Sequence, residues 1–302
     1  MRLLGFFVLA AGCLAAQVVQ EVRAAAAAGN FAAAKARLQQ YKGNGPWTPE
    51  LLLAHSWIGR GAHANKAWDQ AFALSAETRT AALEMLKSRP LDAEPNLPLA
   101  LGASIEVNGH ALAGTGRRSE GVAFLKDELK RWHATSIRTR IQKNLHLLSL
   151  AGQKAPKLEA MQFAGSVKMR SLDDFRGRPV LLFLWAHWCA DCKTQGPVIE
   201  ALRKEFPLLA VVAPTQRYGY VAGGEEAPKE KETPYISQVQ REHYPWLNGV
   251  PLPISEENFR LYGVSSTPTL VLLDGAGVVR LYHPGQMKMD ELRAALQSVA
   301  KP

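Results

Sequence analysis

The sequence predicts an all-α half followed by an α/β half. Three observations predict it. Residues 20 to about 150 are rich in alanine, leucine and charged helix formers, punctuated by glycine-containing turns. Beyond residue 157 the pattern changes to short runs of branched and aromatic residues, "PVLLFLWA", "LLAVVAP" and "PTLVLLD". Helical stretches separate these runs, giving a β-α-β-α-β-β-α order that fits a mixed sheet with helices on both faces.

The first element is a targeting signal. Met1-Arg2 is a short basic start, and "LLGFFVLAAG" is an apolar core of signal-peptide length. Residues 1–19 are therefore read as a signal peptide or membrane anchor. The core alone is too short to span a bilayer; extended through Val19 it becomes an uncleaved anchor. Cys13 in "LAAGC" resembles a bacterial lipoprotein box, although Ala10 stands where leucine is preferred. Cleavage, lipidation at Cys13 and an uncleaved anchor all stay open. Each places the chain outside the cytoplasm, on the periplasmic side.

Residues 20–150 read as a helical domain. "QEVRAAAAAGNFAAAKARLQQY" breaks at Gly29-Asn30, a turn between two helices. A second pair, residues 49–89, is expected to break near Gly59-Arg60-Gly61, and a third around Gly114-Thr115-Gly116. "SIRTRIQKNLHLLSL" makes a last helix. Gly29, Phe31 and Ala34 match the turn of tetratricopeptide (TPR) repeats, but the period is not clean. A TPR-like stack would hold a partner protein in its groove. The plainer reading is a helical domain whose Trp47, Trp57, Trp68 and Trp132 fill a core. "GTGRRSEG" is no phosphate loop, because no strand precedes it and no Gly-Lys-Ser/Thr follows.

The domain boundary is placed at "AGQKAPK", so residues 151–302 form the second domain. "SVKMR" is expected as a short strand and "SLDDFRG" as a helical turn. "PVLLFLWA" is a buried strand running into the helix "CADCKTQGPVIEALRKEF", which Gly196-Pro197 should kink. "LLAVVAP" is the second buried strand. Residues 223–234, "GGEEAPKEKETP", read as an exposed polar loop, "YISQVQREHY" as a short helix and "EENFRLYGV" as a turn. "PTLVLLD", "GAG" and "VVRLYH" make a hairpin, and "KMDELRAALQSVA" an amphipathic helix.

Charge excludes little. The formal net charge is +9. Residues 1–150 hold 18 basic and 11 acidic side chains, a balance of +7; residues 151–302 hold 18 and 16, a balance of +2. No dense basic block with interleaved aromatics occurs, so nucleic acid is not an expected partner.

The chemistry sits in "WAHWCADCK", residues 185–193. A strand running into a helix places Cys189 at the helix N-terminus, where unpaired backbone N–H groups stabilise negative charge. The thiolate is the reactive form, so Cys189 is the candidate nucleophile. Cys192 lies one turn further on. It can attack a mixed disulfide on Cys189 and release the substrate's other thiol. The pair is thus a redox-active disulfide that needs no further cofactor. Zinc is a poor alternative, because one CxxC supplies two of four ligands. His187 could join the cysteines for copper, but no fourth ligand stands nearby. A purely structural disulfide would close a tiny loop and constrain the unfolded chain little.

"GQKAP", "SLDDFRGRPVLLFLWAHWCADCKTQGP", "YGVSSTPTLVLLDGAGVV" and the last helix together resemble the TlpA-like branch of the thioredoxin superfamily. These are extracytoplasmic thiol-disulfide oxidoreductases that include ResA-like proteins. The resemblance covers residues 151–302. It implies a thioredoxin fold, with Cys189 attacking, Cys192 resolving and Pro268 as a cis-proline after Thr267. It also implies protein thiol or disulfide substrates and a membrane electron donor, with the chain working as a reductant. Three residues depart from the pattern. Asp191 replaces a proline, and its carboxylate should disfavour the thiolate or simply favour the helix start. Gln195 replaces a titratable glutamate. His187 replaces Ser or Thr, and is read either as an exposed loop histidine or as a donor to the Cys189 thiolate. Trp185 and Trp188 pack around the active-site turn, and Trp188 offers an apolar wall for substrate.

The sequence therefore points to an exported thiol-disulfide oxidoreductase of two domains. Its rival is a helical-repeat binding protein whose CxxC is a regulatory disulfide or a copper-binding pair.

Overall fold

The structure is a computed structural model that describes residues 17–299. Cys13 and most of the 1–19 segment lie outside the described residues. The chain divides into two compact units, one ending at Asn144 and one starting at Leu145.

The first unit is helical. Its elements are α1 (residues 17–27), α2 (Phe31–Lys42), α3 (Pro49–Ala64), α4 (Trp68–Met85), α5 (Asn96–Gly114), α6 (Arg118–Arg131) and the start of α7 (Arg138–Ser149). Residues 17–19 are already helical and Val18 is buried with Val22 and Ala26, so the helical unit reaches further back than residue 20. Local chemistry sets the starts. The Asn30 side chain accepts the Ala33 N–H, and Thr48 accepts the Leu51 N–H just ahead of Pro49. Three-residue turns join α1 to α2, α3 to α4 and α5 to α6, and both α3 and α4 pack on α5.

Two expectations fail here. α3 runs unbroken through Gly59-Arg60-Gly61 to Ala64, and the turn falls at residues 65–67. The glycines serve packing instead. A Cβ on Gly61 would lie 2.6 Å from the Ala26 carbonyl oxygen, so the missing side chain lets α1 and α3 touch through their backbones. The four tryptophans are only half-buried. Alanine, valine, leucine and isoleucine make the centre, while the indoles lie at its margin, where the Trp132 N–H donates to Glu128 at 2.7 Å.

The second unit carries a four-stranded sheet. Strands β1 (Val180–Leu184), β2 (Ala210–Val212), β3 (Thr269–Leu273) and β4 (Val279–Pro284) lie in the order β2-β1-β3-β4. β1 and β2 are parallel, while β1–β3 and β3–β4 are antiparallel. The helices are α8 (Ala190–Glu205), α9 (Lys229–His243), α10 (Glu256–Leu261) and α11 (Met289–Val299). β1 shows why its run reads as continuously apolar. Leu181 and Phe183 enter a core with Ile199 and Leu202 of α8, Ile236 of α9 and Leu292 of α11. Val180, Leu182 and Leu184 enter a second core with Phe259 and Tyr262 on the opposite face. α8 continues through Pro197 to Glu205.

The structure moves several boundaries. The division between units falls within α7, six residues before position 151. The end of that helix belongs to the second unit: the His146 Nε2–H donates to the Leu261 carbonyl at 2.7 Å, and Leu150 is buried in the core around β1. Residues 166–170 are not a strand, although Met169 is buried. Residues 229–234 are not loop but the opening of α9, with Glu230 and Glu232 in its first turn. Their charges and Pro234 disguise a helix start, where acidic side chains favour the helix dipole. Residues 256–261 are helical, capped by the Ser255 hydroxyl accepting from the Asn258 N–H. Among the described residues no helix is long and apolar enough to cross a membrane.

Gly61→Ala should destabilise the chain by roughly 1–3 kcal/mol, because the added methyl must displace helix backbone. Chemical denaturation followed by circular dichroism measures this. Acid should destabilise it too. Burial holds the pKa values of His55, His63, His110, His146 and His187 below the ordinary 6.5. Below about pH 6.5 the unfolded chain takes up protons that the folded chain refuses, so stability falls as pH falls. The melting temperature should be lower at pH 5 than at pH 7.

Candidate active site

β1 ends at Leu184, and the buried Trp185 and Ala186 carry the chain to the turn at residues 187–188. Cys189 then caps α8. Its sulfur accepts the Cys192 N–H at 3.0 Å, so an amide of the helix start that lacks an intrahelical partner points at Cys189 Sγ. Cys189 and Cys192 form a disulfide with their Cα atoms 5.3 Å apart. Cys189 is 3% exposed and Cys192 is fully buried. Cys189 is thus the outer residue of the pair.

Thr267-Pro268 is a cis peptide. Thr269, the next residue, pairs with Leu184 in the β1–β3 register. Pro268 therefore lies at the end of the sheet from which the chain leaves for Cys189. The Pro268 carbonyl accepts the Gly285 N–H at 2.7 Å. Thr267 is half-buried, and its hydroxyl has no partner among the described residues.

A segment ahead of α11 clasps the first turns of α8. Gln286 Nε2 donates to the Asp191 carboxylate at 3.0 Å and to its carbonyl at 3.3 Å. The Met287 N–H donates to Gln195 Oε1 at 2.7 Å. Asp191 is exposed, whereas Gln195 is buried with its Nε2 unpaired. Gln195 thus acts as a strut between α8 and residue 287. Neither Gln286 nor Met287 was marked by a sequence signal, since both contacts are made across a long sequence gap.

His187 is buried, not an exposed loop residue. Its Nε2 faces the Glu232 carboxylate at 3.1 Å, and both side chains are 1% exposed. The imidazole is therefore turned to Glu232. Burial lowers its pKa below the ordinary value, against the pull of Glu232, so the ring is neutral at pH 7 and donates Nε2–H. Glu232 also accepts the backbone N–H groups of Tyr218, at 2.5 Å, and Gly219, at 2.9 Å. One carboxylate thereby ties the turn before Cys189 to the loop that follows β2. The rings of Tyr218, Tyr220 and Tyr235 surround His187 at 5.3–5.6 Å between centroids. Tyr218 also meets the ring of Trp188 edge-on at 5.4 Å, and Trp188 remains 49% exposed beside Cys189. No sequence signal singles out Glu232, because its stretch is polar and contains Pro234, the pattern of a loop.

No group of three or more His, Cys, Asp or Glu suited to a metal occurs among the described residues.

The model of the thioredoxin-like domain matches residues 175–300. The thioredoxin-like protein YneN of Bacillus subtilis (strain 168) is 32% identical over 147 residues, covering 48% of this chain and 78% of that protein. The chain belongs to the thioredoxin-like family. Two further relatives carry names for the chemistry of this family. The thiol:disulfide interchange protein DsbE of Xylella fastidiosa (strain Temecula1) is 27% identical over 150 residues, 49% of this chain and 68% of its own. The thiol-disulfide oxidoreductase ResA of Geobacillus thermodenitrificans is 25% identical over 152 residues, 49% of this chain and 77% of its own. As a thioredoxin-like thiol-disulfide oxidoreductase, the chain presents its CxxC at the strand-to-helix turn of a four-stranded mixed sheet.

Glu232→Ala should cost at least about 2 kcal/mol, since it leaves His187 and two backbone N–H groups without their acceptor. Glu232→Gln, which keeps one acceptor oxygen, should cost less. Denaturant midpoints of the two variants check the order.

Proposed function

We propose that the chain is an exported reductant of protein disulfides, working through Cys189 and Cys192 with no further cofactor. The placement of Cys189 at the start of α8, with Cys192 buried behind it, carries the proposal. In the reduced enzyme the Cys189 thiolate attacks one sulfur of a substrate disulfide. A mixed disulfide forms, and the other substrate sulfur leaves as a thiolate that takes up a proton. The Cys192 thiolate then attacks Cys189 Sγ and releases the second substrate thiol. The substrate gains two electrons and the enzyme ends with the Cys189–Cys192 disulfide. A membrane dithiol donor must then return the enzyme to its reduced form.

The surroundings supply supporting roles. The amides of the first turn of α8 stabilise the thiolate. Asp191 opposes this with its own charge, and Gln286 engages that carboxylate. Trp188 forms an apolar wall for the substrate. The backbone at Thr267-Pro268 pairs with an extended substrate segment, strand to strand. Gln195 cannot titrate, so the proton that Cys192 gives up before it attacks passes to solvent or to the departing substrate thiolate. The helical unit holds the partner protein that supplies or receives the disulfide. A copper-binding role for the CxxC is the weaker reading, because the Nε2 of His187 is engaged by Glu232.

Cys192→Ser should accumulate mixed disulfides with substrate, and Cys189→Ser should not; the wild-type chain should accelerate insulin reduction by dithiothreitol. Trapping by the Cys189 variant instead would reverse the roles. Residues 1–30 fused to an export-dependent reporter should give periplasmic activity. Labelled palmitate incorporated by wild type and not by Cys13→Ala would place a lipid on Cys13.

A further inference from the structure

The helical unit gathers cations around a single carboxylate. Glu106 on α5 receives Arg140 Nε at 2.9 Å and Asn144 Nδ2 at 3.1 Å, and Lys143 Nζ lies 3.7 Å away. The side chains of Arg140 and Lys143 are only 19% exposed. Burial by itself would raise the Glu106 pKa, but Arg140 and then Lys143 hold it at about 2, so the carboxylate is already fully engaged.

Two more cations share this environment without a carboxylate of their own. The guanidinium groups of Arg23 and Arg60 lie over the Trp57 ring, 4.3 and 4.0 Å from its centroid. Among the described residues neither has an acidic partner within ion-pair distance. Arg60 is half-buried, and burial, Arg140 and Arg23 all disfavour its charge, with only Glu106 opposing them. His63 and His110, whose rings meet at 5.7 Å, are held neutral by burial and add no further positive charge. Three cations, Arg60, Arg140 and Lys143, thus share one carboxylate in a partly desolvated setting, where uncompensated charge is costly, and the exposed Arg23 joins Arg60 over the Trp57 ring.

We propose that Arg23, Arg60, Arg140 and Lys143 bind carboxylates of an acidic segment on a protein partner. This names the chemistry of the partner that the helical unit is proposed to hold, and it rests on that reading. Arg60, Arg140 and Lys143 are recessed, which favours a peptide over a membrane. A flat anionic bilayer meets exposed lysines, whereas an Asp or Glu side chain extends inward to a half-buried guanidinium. The paired guanidinium–indole stack around Trp57 offers a broad face on which the aliphatic part of such a segment lies. The +7 balance of residues 1–150 steers an acidic partner toward this unit.

The test is fluorescence anisotropy of a labelled peptide of Glu, Asp and Leu with a free C-terminus, titrated with the whole chain. Binding should weaken as salt rises and fall at least about tenfold in Arg60→Ala. Arg23 is exposed, so Arg23→Ala gives a weakened variant that keeps its fold should Arg60→Ala not. The matched peptide with Gln and Asn in place of Glu and Asp should not bind. Equal binding of both peptides, or unchanged binding by both variants, would overturn the proposal. So would competition by inorganic phosphate at concentrations that leave ionic strength unchanged, or binding to phosphatidylglycerol vesicles without binding to the peptide. Absence of peptide binding by a chain that still reduces insulin would remove the acidic partner and leave the redox reading standing.

Discussion

A backbone amide of α8 meets the sulfur of Cys189, and the arrangement of the second unit follows from keeping that contact in place. The donor is the Cys192 N–H, at 3.0 Å. Helix starts have amides with no partner of their own, so an anion there is stabilised at no extra structural cost. The position holds only while β1 delivers the chain to the helix at a fixed point. β1 does so because its alternate side chains are locked into cores on both faces of the sheet.

Polar contacts then fix the turn against its neighbours. Gln286 and Met287 hold Asp191 and Gln195 on α8, and Glu232 holds His187 and the backbone of Tyr218 and Gly219. These ties come from two separate regions of sequence, ahead of α11 and at the start of α9. Buried carboxylates are tolerated when their acceptors are filled, and Glu232 has three donors. The Trp188 ring, standing half-exposed against Tyr218, takes its orientation from the same loop. The exposed surface beside Cys189 and the buried polar anchor are therefore two sides of one construction.

The helical unit follows a different logic. Close approach of backbones, as at Gly61 and Ala26, replaces large side chains at its centre. Small residues leave the tryptophans at the margin, where guanidinium groups cover Trp57. Around Glu106, Arg140 and Lys143 share one carboxylate.

The sequence by itself determined the order of elements around the CxxC, and its resemblance to a known family implied the cis position at Pro268 and the thioredoxin-like class. The order rests on local signals: short apolar runs of branched and aromatic residues, a two-residue cysteine spacing and helix-forming stretches between the runs. Local signals also placed the turns at Gly29-Asn30 and Gly114-Thr115-Gly116, where the helices stop. They mislead at Gly59-Arg60-Gly61, where the glycines serve a helix contact instead of a turn, and at residues 229–234, where a polar stretch with the pattern of an exposed loop opens a helix. Only the tertiary structure decided that His187 is buried, that Glu232 is its partner and that Gln195 braces residue 287. The pairs are separated by 45 and 92 positions. No periodicity reaches across such gaps; folding alone brings a donor and an acceptor together and removes the water that would otherwise satisfy both.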